Sequence, residues 1–346
     1  MSLPDADVAV VGDGPAGCVA ARLLAEKGWH VSLLSRPARG AGRACEVLSP
    51  ACAGAISGWL PHGLLDTVGV ARRCAGIRSR WHHSGLHHQD YPRDSGYIID
   101  RACFDGGLRN AALAAGALLY RGFDLCEAER TTDAIVLQGH ADRQPWSLRA
   151  RFVVDASGRA ATLARRLGCS PVRLTRQVAF AARVFAEEAK SQNAADWFEV
   201  ESGEGEWWTA STAPDGSRDY VYYSRRPRVR QGGQHLVQKL LETRLVPPGG
   251  EPPRWAGGTD AGTTFARSVR GARWVAIGDA AAAFDPVSSQ GIWNAVASAA
   301  AVAPAIGEFL MRGDVRGLER YEFRLSATLS HHLRGLRHHL SRGVSA

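Results

Sequence analysis

Two short apolar runs stand out along the chain, because each ends in a glycine-rich turn that leads into an alanine-rich helical pattern. The first run, at residues 8–11, is followed by Gly-Asp-Gly-Pro-Ala-Gly at residues 12–17 and by helical spacing as far as residue 27. A short apolar run bounded by turn residues is typical of a buried strand. The pattern predicts a strand, a helix over 15–27 and a second strand over 30–34, which together begin a βαβ unit.

The second run is Trp-Val-Ala-Ile at residues 274–277. It is followed by the loop GDAAAAFDPVSSQG at residues 278–291 and by an alanine-rich pattern over residues 292–311. This pattern predicts a strand, a loop and a long helix, in spite of Pro304, which removes one backbone donor from the helix interior.

The middle of the chain, from Arg176 to about Phe265, is predicted to be rich in β-strands. Strands are predicted at 178–185 and 197–200, and hairpins join 206–211 to 220–223 and, earlier in the chain, 77–83 to 86–91. The remaining predicted elements are a helix and strand over 103–121, a strand at 151–155, an amphipathic helix at 231–243 and a basic tail helix at 318–339.

These elements predict an α/β (α+β) protein in which a β-rich unit is inserted into a Rossmann-like one. The Rossmann-like domain is discontinuous, and the inserted domain carries the substrate. The predicted domains are 1–75, 96–175 and 266–346 for the first, and 76–95 and 176–265 for the second.

The first glycine-rich turn has the spacing G-x-G-x-x-G in the strand–turn–helix context of a dinucleotide site. Gly12 allows the tight turn, Gly14 lets a pyrophosphate approach the backbone, and Gly17 lets the helix pack on the strand. These three glycines and Ala16 are the predicted cofactor contacts of this turn.

The second loop suits a different part of a ligand. Asp279, at the end of its strand, can accept hydrogen bonds from a chain of hydroxyl groups. The following helix offers unpaired N–H groups and a partial positive charge at its N-terminus. A polyol beside a ring that becomes anionic fits both features, and reduced flavin is such a ligand. Pro286, Gly291 and Ile292 are the predicted contacts beside Asp279.

Together the two motifs resemble the FAD-binding parts of the aromatic-hydroxylase superfamily of flavoproteins. GYIIDRACFD at residues 96–105 looks like a further segment of that family, where Arg101 would lie near the cofactor and Asp105 would begin a helix. RFVVDASGR at residues 151–159 is similar to a strand end of the family and adds Asp155 and Gly158. The resemblance runs from residue 6 to about residue 310 and implies an aromatic-hydroxylase-type fold with bound FAD.

One position departs from the family pattern. The acidic residue that normally holds the adenosine ribose is expected just after the second strand, where this chain has Ser35 and Arg36. Ser35 can bind a hydroxyl weakly, and Arg36 can meet an adenine-side phosphate. Residues 42–50, GRACEVLSP, resemble a segment of the halogenase-like branch, in which Arg43 is either a flavin or phosphate contact or an ordinary surface arginine.

The segments GEWWTASTAPDG and YVYYS also look most like the halogenase-like branch, which includes halogenases and the flavoproteins that mature cysteine tryptophylquinone enzymes. Trp208, or Trp207 instead, and alternate tyrosines including Tyr222 would line a pocket for a flat substrate, although strands favour aromatic residues in any case. His82 is a candidate acid or base. The nearby histidines match no ligand spacing, so no metal is predicted.

A halogenase of this branch needs a lysine between the first βαβ unit and the substrate region, and no lysine occurs between Lys27 and Lys190. The resemblance therefore implies a monooxygenase that works through a flavin C4a-hydroperoxide, with O2 and with NAD(P)H or a reductase as electron donor. The predicted substrate is an indole or phenol, as a small molecule or as a tryptophan of a partner protein or peptide. Two alternatives stay open: a flavin-dependent saturase of polyprenyl or other small molecules, and a non-catalytic assembly factor, which Ser35 favours.

The composition of the chain limits the class of protein, its cellular location and its partners. The chain of 346 residues is 45% hydrophobic and 22% charged, as an ordinary globular protein is. We expect no signal peptide, no membrane span and a cytoplasmic protein. The seven cysteines include no C-x-x-C pair, which indicates reduced thiols. The net charge of +8 comes mostly from dispersed arginines without a nucleic-acid-binding motif, so no nucleic acid partner is expected.

Overall fold

The computed structural model describes residues 5–36, 44–81, 85–184, 196–203, 205–225, 233–245, 254–255 and 258–343. The strands are β1 (Ala6–Val11), β2 (Val31–Leu34), β3 (Glu46–Leu48), β4 (Ala71–Trp81), β5 (His87–Asp90), β6 (Gly96–Ile99), β7 (Leu118–Tyr120), β8 (Phe123–Arg130), β9 (Ile135–Ala141), β10 (Gln144–Asp155), β11 (Pro171–Arg173), β12 (Val178–Val184), β13 (Asp196–Gly203), β14 (Glu206–Thr212), β15 (Arg218–Ser224), β16 (Arg254–Trp255), β17 (Thr259–Asp260), β18 (Thr264–Ala266), β19 (Arg270–Gly271), β20 (Trp274–Ala276) and β21 (Ala282–Ala283). The helices are α1 (Pro15–Ala25), α2 (Pro50–Ile56), α3 (Arg101–Ala114), α4 (Thr162–Arg166), α5 (Gly233–Leu241), α6 (Gly291–Arg312) and α7 (Arg316–Gly343).

The first sheet is the Rossmann-like one, with the strand order β19-β20-β10-β1-β2-β7 and with β9 and β8 added beside β10. The neighbours of β1 run parallel to it, as the βαβ prediction requires. Val8, Ala9 and Val10 are fully buried, so both faces of the sheet are covered at β1, as is usual for parallel strands. The predicted strand–turn–helix unit at the start of the chain is confirmed.

The second sheet has ten strands in the order β16-β12-β15-β14-β13-β4-β6-β3, with β17 and β5 at its margins. Both predicted hairpins are present as antiparallel pairs, β14 with β15 and β4 with β5. The sheet also includes β3 and β6, from segments that the sequence prediction assigned to the cofactor domain, and β4 begins at Ala71. The domain boundaries themselves stay a prediction.

The helix that follows the second glycine-rich loop is 22 residues long and contains Pro304. Pro304 lies on an exposed position, where water can satisfy the carbonyl that loses its partner. This helix, α6, has the length and the mean hydropathy, 1.3, of a membrane span, yet 61% of its most apolar window is buried inside the protein. Burial of that kind is also typical of the central helix of a globular core.

Candidate flavin and substrate site

The turn between β1 and α1 has no room for side chains at two of its three glycines. Gly12 has φ +111°, and a Cβ on it would lie 2.3 Å from the carbonyl oxygen of Ala156. A Cβ on Gly17 would lie 1.8 Å from the carbonyl oxygen of Gly12, whereas a Cβ on Gly14 would meet nothing within 4 Å. The fold itself requires glycine at Gly12 and Gly17, and the space at Gly14 is open to a ligand.

The carboxyl ends of four parallel strands meet at this turn. The Gly12 N–H donates to Leu34 O of β2 at 2.8 Å, and the Ala156 N–H donates to Val11 O of β1 at 2.9 Å. On the far side, a Cβ on Gly278 would lie 3.0 Å from the Cβ of Ala16, so the two glycine-rich loops touch. Ligands of open α/β sheets bind outside the carboxyl ends of the strands, where these loops lie.

The position after β2 is already used by the fold. Ser35 is 7% exposed, and its backbone N–H donates to Tyr120 O at 2.9 Å. Its hydroxyl makes a long 3.4 Å bond to the carbonyl of Arg36, whose own side chain is exposed. Ser35 lies at the predicted ribose position, with a hydroxyl that is only weakly engaged.

Asp155 lies at the end of β10 with no exposed surface. Its Oδ1 accepts the Ser157 N–H at 3.0 Å and the Ser157 hydroxyl at 2.6 Å, and its Oδ2 accepts the Ala164 N–H at 2.8 Å. Burial raises the pKa of this carboxyl, although these hydrogen bonds act in the opposite direction. Asp155, which we predicted to contact the cofactor, holds the loop before α4 in place with both oxygens. Gly158 in that loop has φ +67° and open space around its Cα.

Arg159 connects that loop to the second glycine-rich loop. Its guanidinium lies 3.5 Å from the Asp279 carboxylate, and it donates to the carbonyl oxygens of Gly262 and, at 3.1 Å, of Phe284. The Asp279 side chain keeps 34% of its surface exposed. We did not select Arg159 from the sequence, although it belongs to the RFVVDASGR motif; only its long-range contacts show its position.

Arg101 is 8% exposed and pairs with two carboxylates, those of Glu46 on β3 and Asp105 one turn along α3. Burial alone would lower the pKa of this guanidinium, but the two carboxylates outweigh it and raise the pKa. A Cβ on Gly291 would lie 3.9 Å from Glu46, so the Arg101–Glu46 pair lies beside the start of α6. The expectation that Asp105 begins a helix was wrong: Asp100 caps α3 by accepting the Cys103 N–H at 3.0 Å, because its side chain directly precedes the first turn.

The loop before α6 is held from inside the protein. Asp285 is 2% exposed, and its Oδ1 accepts the Val287 N–H at 3.1 Å. Its backbone N–H donates to Nε2 of His332, on α7, at 3.4 Å. Burial raises the pKa of the Asp285 carboxyl and lowers that of the His332 imidazole, so this histidine is held in its neutral form.

The start of α6 is open. Gln290 makes no side-chain cap, Gly291 is exposed and Pro286 is partly exposed, while Ile292 is 2% exposed and anchors the first turn in the core. The N–H groups of an uncapped helix start are available to a ligand, and the helix dipole favours negative charge there.

The strands β14 and β15 carry two aromatic pairs on opposite faces of the second sheet, one stacked and one tilted. Trp207 lies over Tyr223 with ring centroids 3.8 Å apart and 7° between the planes, and Trp208 lies beside Tyr222 at 4.5 Å. Residues paired across antiparallel strands share a face, and neighbours along a strand alternate. Only one of the two pairs can therefore face the cofactor loops.

Trp208 and Tyr222 face away from those loops. Trp208 is 3% and Tyr222 1% exposed, and both belong to a cluster with Leu236, Leu240 and Leu245 of the α5 region. Trp208 and Tyr222, the predicted catalytic residues, therefore lie on the face of the sheet that α5 covers, and their catalytic role stays a prediction. The sequence shows the alternation but not which face the helix covers.

Trp207 and Tyr223 face the loop that contains Asp285. With its amide oriented so that both ends have a partner, Gln177 donates to Asp285 Oδ2 at 3.0 Å and accepts the Trp207 indole N–H at 2.9 Å. Burial raises the pKa of the Tyr223 phenol, and the charges of Glu46 and Asp285 raise it further. This face of the sheet is the side on which a substrate could meet the cofactor loops.

An ionic cluster joins this sheet to the Rossmann-like part. Arg183 on β12 bonds Asp219 on β15 at 2.6 Å and Asp100, the cap of α3, at 3.1 Å. The Cys45 N–H donates to Asp219 at 2.7 Å, and burial raises the pKa of the Cys45 thiol. The thiol is therefore held protonated, as a spectator cysteine would be.

Two predicted site residues, His82 and Arg43, lie outside the described residues. Their neighbours His87 and His88 are exposed, and the edge of the His88 ring meets Trp197 at 5.5 Å. Within the part of the chain that the structure describes, no group of three His, Cys, Asp or Glu side chains is arranged to hold a metal ion.

The residues around the strand ends fit a flavin dinucleotide. A Cβ on Gly14 would occupy open space, Asp279 offers a partly exposed carboxylate, and the start of α6 is uncapped. Gly14 suits a pyrophosphate, Asp279 a ribityl chain and the helix start an anionic ring.

Comparison with known proteins supports this fit. A family model described as FAD binding domain matches residues 62–331, most of the chain, although the G-x-G-x-x-G turn precedes the matched region. The FAD-dependent oxidoreductase LodB of Marinomonas mediterranea is 28% identical over 85% of this chain and 82% of its own. Digeranylgeranylglycerophospholipid reductase of Methanoculleus marisnigri is 26% identical over 89% of this chain and 78% of its own.

Solved structures agree on the fold. The flavin-dependent brominase Bmp2 superposes with a TM-score of 0.78 at 16% identity, over 92% of this chain and 83% of its own. QhpG, a peptidyl tryptophan dihydroxylase essential for tryptophylquinone cofactor biogenesis, superposes with a TM-score of 0.75 at 23% identity, over 96% of this chain and 74% of its own. The predicted fold, that of flavin-dependent aromatic hydroxylases and halogenases, is confirmed.

Proposed function

Because the chain belongs to the FAD binding domain family, we propose that it is an FAD-dependent monooxygenase that hydroxylates an electron-rich aromatic ring, an indole or a phenol. The observation that carries the proposal is the stacked pair Trp207–Tyr223, which Gln177 joins to the loop before α6. A flat aromatic wall beside a flavin site suits a planar substrate.

FAD, when bound, would supply the activation of O2, and NAD(P)H or a reductase would supply the electrons. The chain's own contribution is to bind and to exclude water. Gly14 and Asp279 would hold the cofactor, and the uncapped start of α6 would stabilise negative charge on its ring. The Trp207–Tyr223 wall would orient the substrate ring, and its apolar surroundings, including Phe198 and Val200, would keep water out.

For the substrate, we favour a tryptophan side chain in a partner protein or peptide. The support is the likeness to QhpG, a peptidyl tryptophan dihydroxylase. A free aromatic small molecule of the same chemistry is the alternative substrate. We further propose a cytoplasmic enzyme that binds neither nucleic acid nor a membrane.

Chlorination or bromination is disfavoured, in spite of the halogenase neighbours. Among the residues that the structure describes, no lysine lies on the face of the second sheet that carries Trp207 and Tyr223. Lys239 pairs with Glu206 on the face that α5 covers, and Lys27 follows α1. Lys190 lies outside the described residues. A lysine at the substrate face is what this halogenase chemistry requires.

A reductase of a polyprenyl or other small-molecule substrate is the second candidate, favoured by the identity to digeranylgeranylglycerophospholipid reductase. It would consume reductant without O2. A non-catalytic assembly factor is the third, favoured by the weakly engaged hydroxyl of Ser35. It would bind its partner without turnover.

The test begins with the visible spectrum of the purified protein, alone and after FAD has been added and the excess removed by gel filtration. The flavin-loaded protein is then incubated with NADH or NADPH and a tryptophan-containing peptide, with an anaerobic sample as control. We expect flavin bands that stay with the protein and an oxygen-dependent mass gain of one or two oxygen atoms on tryptophan. Reductant consumption that does not depend on O2 would favour the reductase, and a protein that retains no FAD would favour the assembly factor.

A further inference from the structure

Gln177, just before β12, is buried between the two parts of the candidate site. Its side chain is 3% exposed, and its backbone carbonyl accepts the Ala261 N–H at 2.9 Å. Its amide nitrogen donates to Asp285 Oδ2 and its amide oxygen accepts the Trp207 indole N–H. One side chain thus joins the substrate sheet to the loop before α6.

The hydrogen-bond donors and acceptors on either side of Gln177 restrict which residue can stand at this position. Asp285, as a carboxylate, can only accept, and the Trp207 indole can only donate, so the group between them must donate at one end and accept at the other. An amide does both without a charge. A buried amide that lost either partner would carry a desolvation cost, which ties the position of each partner to the other.

We propose that Gln177 is a positioning residue that fixes the Trp207–Tyr223 wall against the loop before α6 and so determines how tightly an aromatic ring binds there. The inference rests on the proposed function, since the ring is that of the proposed substrate. Trp207 stacks on Tyr223 within 3.8 Å, so a shift of the indole moves the whole wall. Asp285 is likewise fixed to Val287, so the bridge ends on a rigid loop.

The charged groups around the bridge are shared by every variant in the test. Arg225, His332 and Arg159 lie near Asp285 and lower the pKa of its carboxyl, against the larger effect of burial. Tyr223 faces Glu46 as well as Asp285. Differences between variants that share the same residue at position 285 therefore isolate the group introduced at position 177.

The bridge is tested first by exchanging hydrogen-bond donors and acceptors in the flavin-loaded protein, with the melting temperature measured from pH 3.5 to pH 9, because an ionised glutamate loses stabilisation only below about pH 4.3. In Q177E, the new carboxyl can replace the amide only while it is protonated, since its ionised form faces the Asp285 carboxylate. The native state raises its pKa, so the stability relative to wild type is lost as the pH rises. In Q177E combined with D285N, the new carboxylate accepts from both neighbours, and stability is lost as the pH falls.

We expect these opposite pH slopes, and Q177L should melt lower than wild type by about 2–4 °C for each kcal/mol lost. The matched control is Gln138→Leu, an exposed glutamine on β9, which should melt as wild type does. Because D285N alone removes a titrating carboxyl, the double variant is compared with D285N and Q177E with wild type. The same pH dependence in both comparisons would overturn the bridge.

The positioning role is tested by the binding of N-acetyltryptophanamide, followed by the change in flavin absorbance of the loaded protein. We expect Q177L to raise the dissociation constant by about tenfold, equal to 1.4 kcal/mol, and Gln138→Leu to leave it unchanged. An unchanged constant in Q177L would overturn the positioning role. If wild type itself does not bind the probe, the proposed aromatic substrate is wrong, while the pH slopes still decide whether the bridge exists.

Discussion

Two regions of the protein each contain two residues of the same type with different roles, glycines in the turn between β1 and α1 and tryptophans in β14. In each region one residue packs inside the protein and the other faces the candidate site. In the turn between β1 and α1, a Cβ on Gly17 would collide with the Gly12 carbonyl, whereas one on Gly14 would meet nothing within 4 Å. In β14, Trp208 is 3% exposed under α5, whereas Trp207 bonds to the Gln177 bridge.

The two regions differ in what decides the assignment. The G-x-G-x-x-G spacing fixes the role of each glycine within six residues, because a strand, a turn and a helix start leave one possible geometry. Alternation in a strand fixes only that Trp207 and Trp208 face opposite sides. Which side meets the cofactor loops depends on α5, a later segment that covers the other side.

The largest expected effect separates the two glycines. Gly17→Ala should destabilise the protein by more than about 3 kcal/mol, because its methyl group meets backbone that cannot move aside. Gly14→Ala should leave the melting temperature of the FAD-free protein unchanged, since Gly14 has φ −77° and ψ −175°, which any residue adopts. Its methyl group should weaken FAD binding by about tenfold or more, which is 1.4 kcal/mol or more.

Thermal melting of the FAD-free proteins and FAD titration followed by flavin fluorescence measure both effects. Gly28→Ala, in the turn after α1 with φ +82° and open space, is the control for a general cost of replacing a glycine. It should cost some stability and leave FAD affinity as it is. Equal FAD affinities for Gly14→Ala and wild type would mean that the open space is not the pyrophosphate site.

The next effect separates the two tryptophans. Trp208→Ala removes a buried ring under α5 and should cost about 3–5 kcal/mol of unfolding free energy. Trp207→Ala removes a half-buried ring and should cost about 1–2 kcal/mol, in the usual range of single substitutions. Urea unfolding followed by circular dichroism measures both.

The effects of the two substitutions on substrate binding should have the opposite order to their effects on stability. Trp207→Ala should weaken the binding of N-acetyltryptophanamide to the flavin-loaded protein, and Trp208→Ala, at a temperature where it is folded, should leave it as in wild type. The conservative variant Trp208→Phe serves as the second test of the buried face if Trp208→Ala does not fold. Weakened binding in Trp208→Phe but not in Trp207→Ala would mean that the face with Trp208, and not the face with Trp207, meets the substrate.

The sequence was sufficient to predict the structure wherever the interacting residues lie close together in one motif. The βαβ start, the loop before α6 and the hairpins follow from apolar runs and turn residues, and the structure has them with small shifts in their ends. The candidate residues that needed partners far along the chain were less predictable. Asp155 carries a family motif, yet its carboxylate is used to cap the loop before α4, which only the three-dimensional contacts reveal.

Arg159, Gln177 and His332 were missed for the same physical reason. Each acts through a group from another element: Arg159 through Asp279 and the Phe284 carbonyl, Gln177 through Trp207, and His332 through the Asp285 backbone. No periodicity or residue spacing in the sequence predicts a hydrogen bond between positions so far apart in the chain. The two glycine-rich motifs could therefore be predicted from the sequence, whereas the long-range contacts that hold the loops around them could not.

The smallest effect is a pH dependence in the loop between the two regions. Burial lowers the pKa of His332 below its usual 6.5, so the folded state disfavours its protonation. The stability that neutral His332 contributes is present above pH 6.5 and is lost as the pH falls below that value. Protonated His332 can no longer accept the Asp285 N–H, a hydrogen bond worth about 1 kcal/mol.

His332→Gln keeps an acceptor for the Asp285 N–H without a titrating group, so its melting temperature should fall less than that of wild type between pH 7 and pH 5. His62→Gln, at an exposed histidine in the turn region between α2 and β4, should keep the wild-type profile. Asp285 titrates in both proteins, so the difference between wild type and His332→Gln reports the histidine. If the two profiles coincide, the contact between α7 and the loop does not depend on the protonation of His332, and the C-terminal helix would only cover the site.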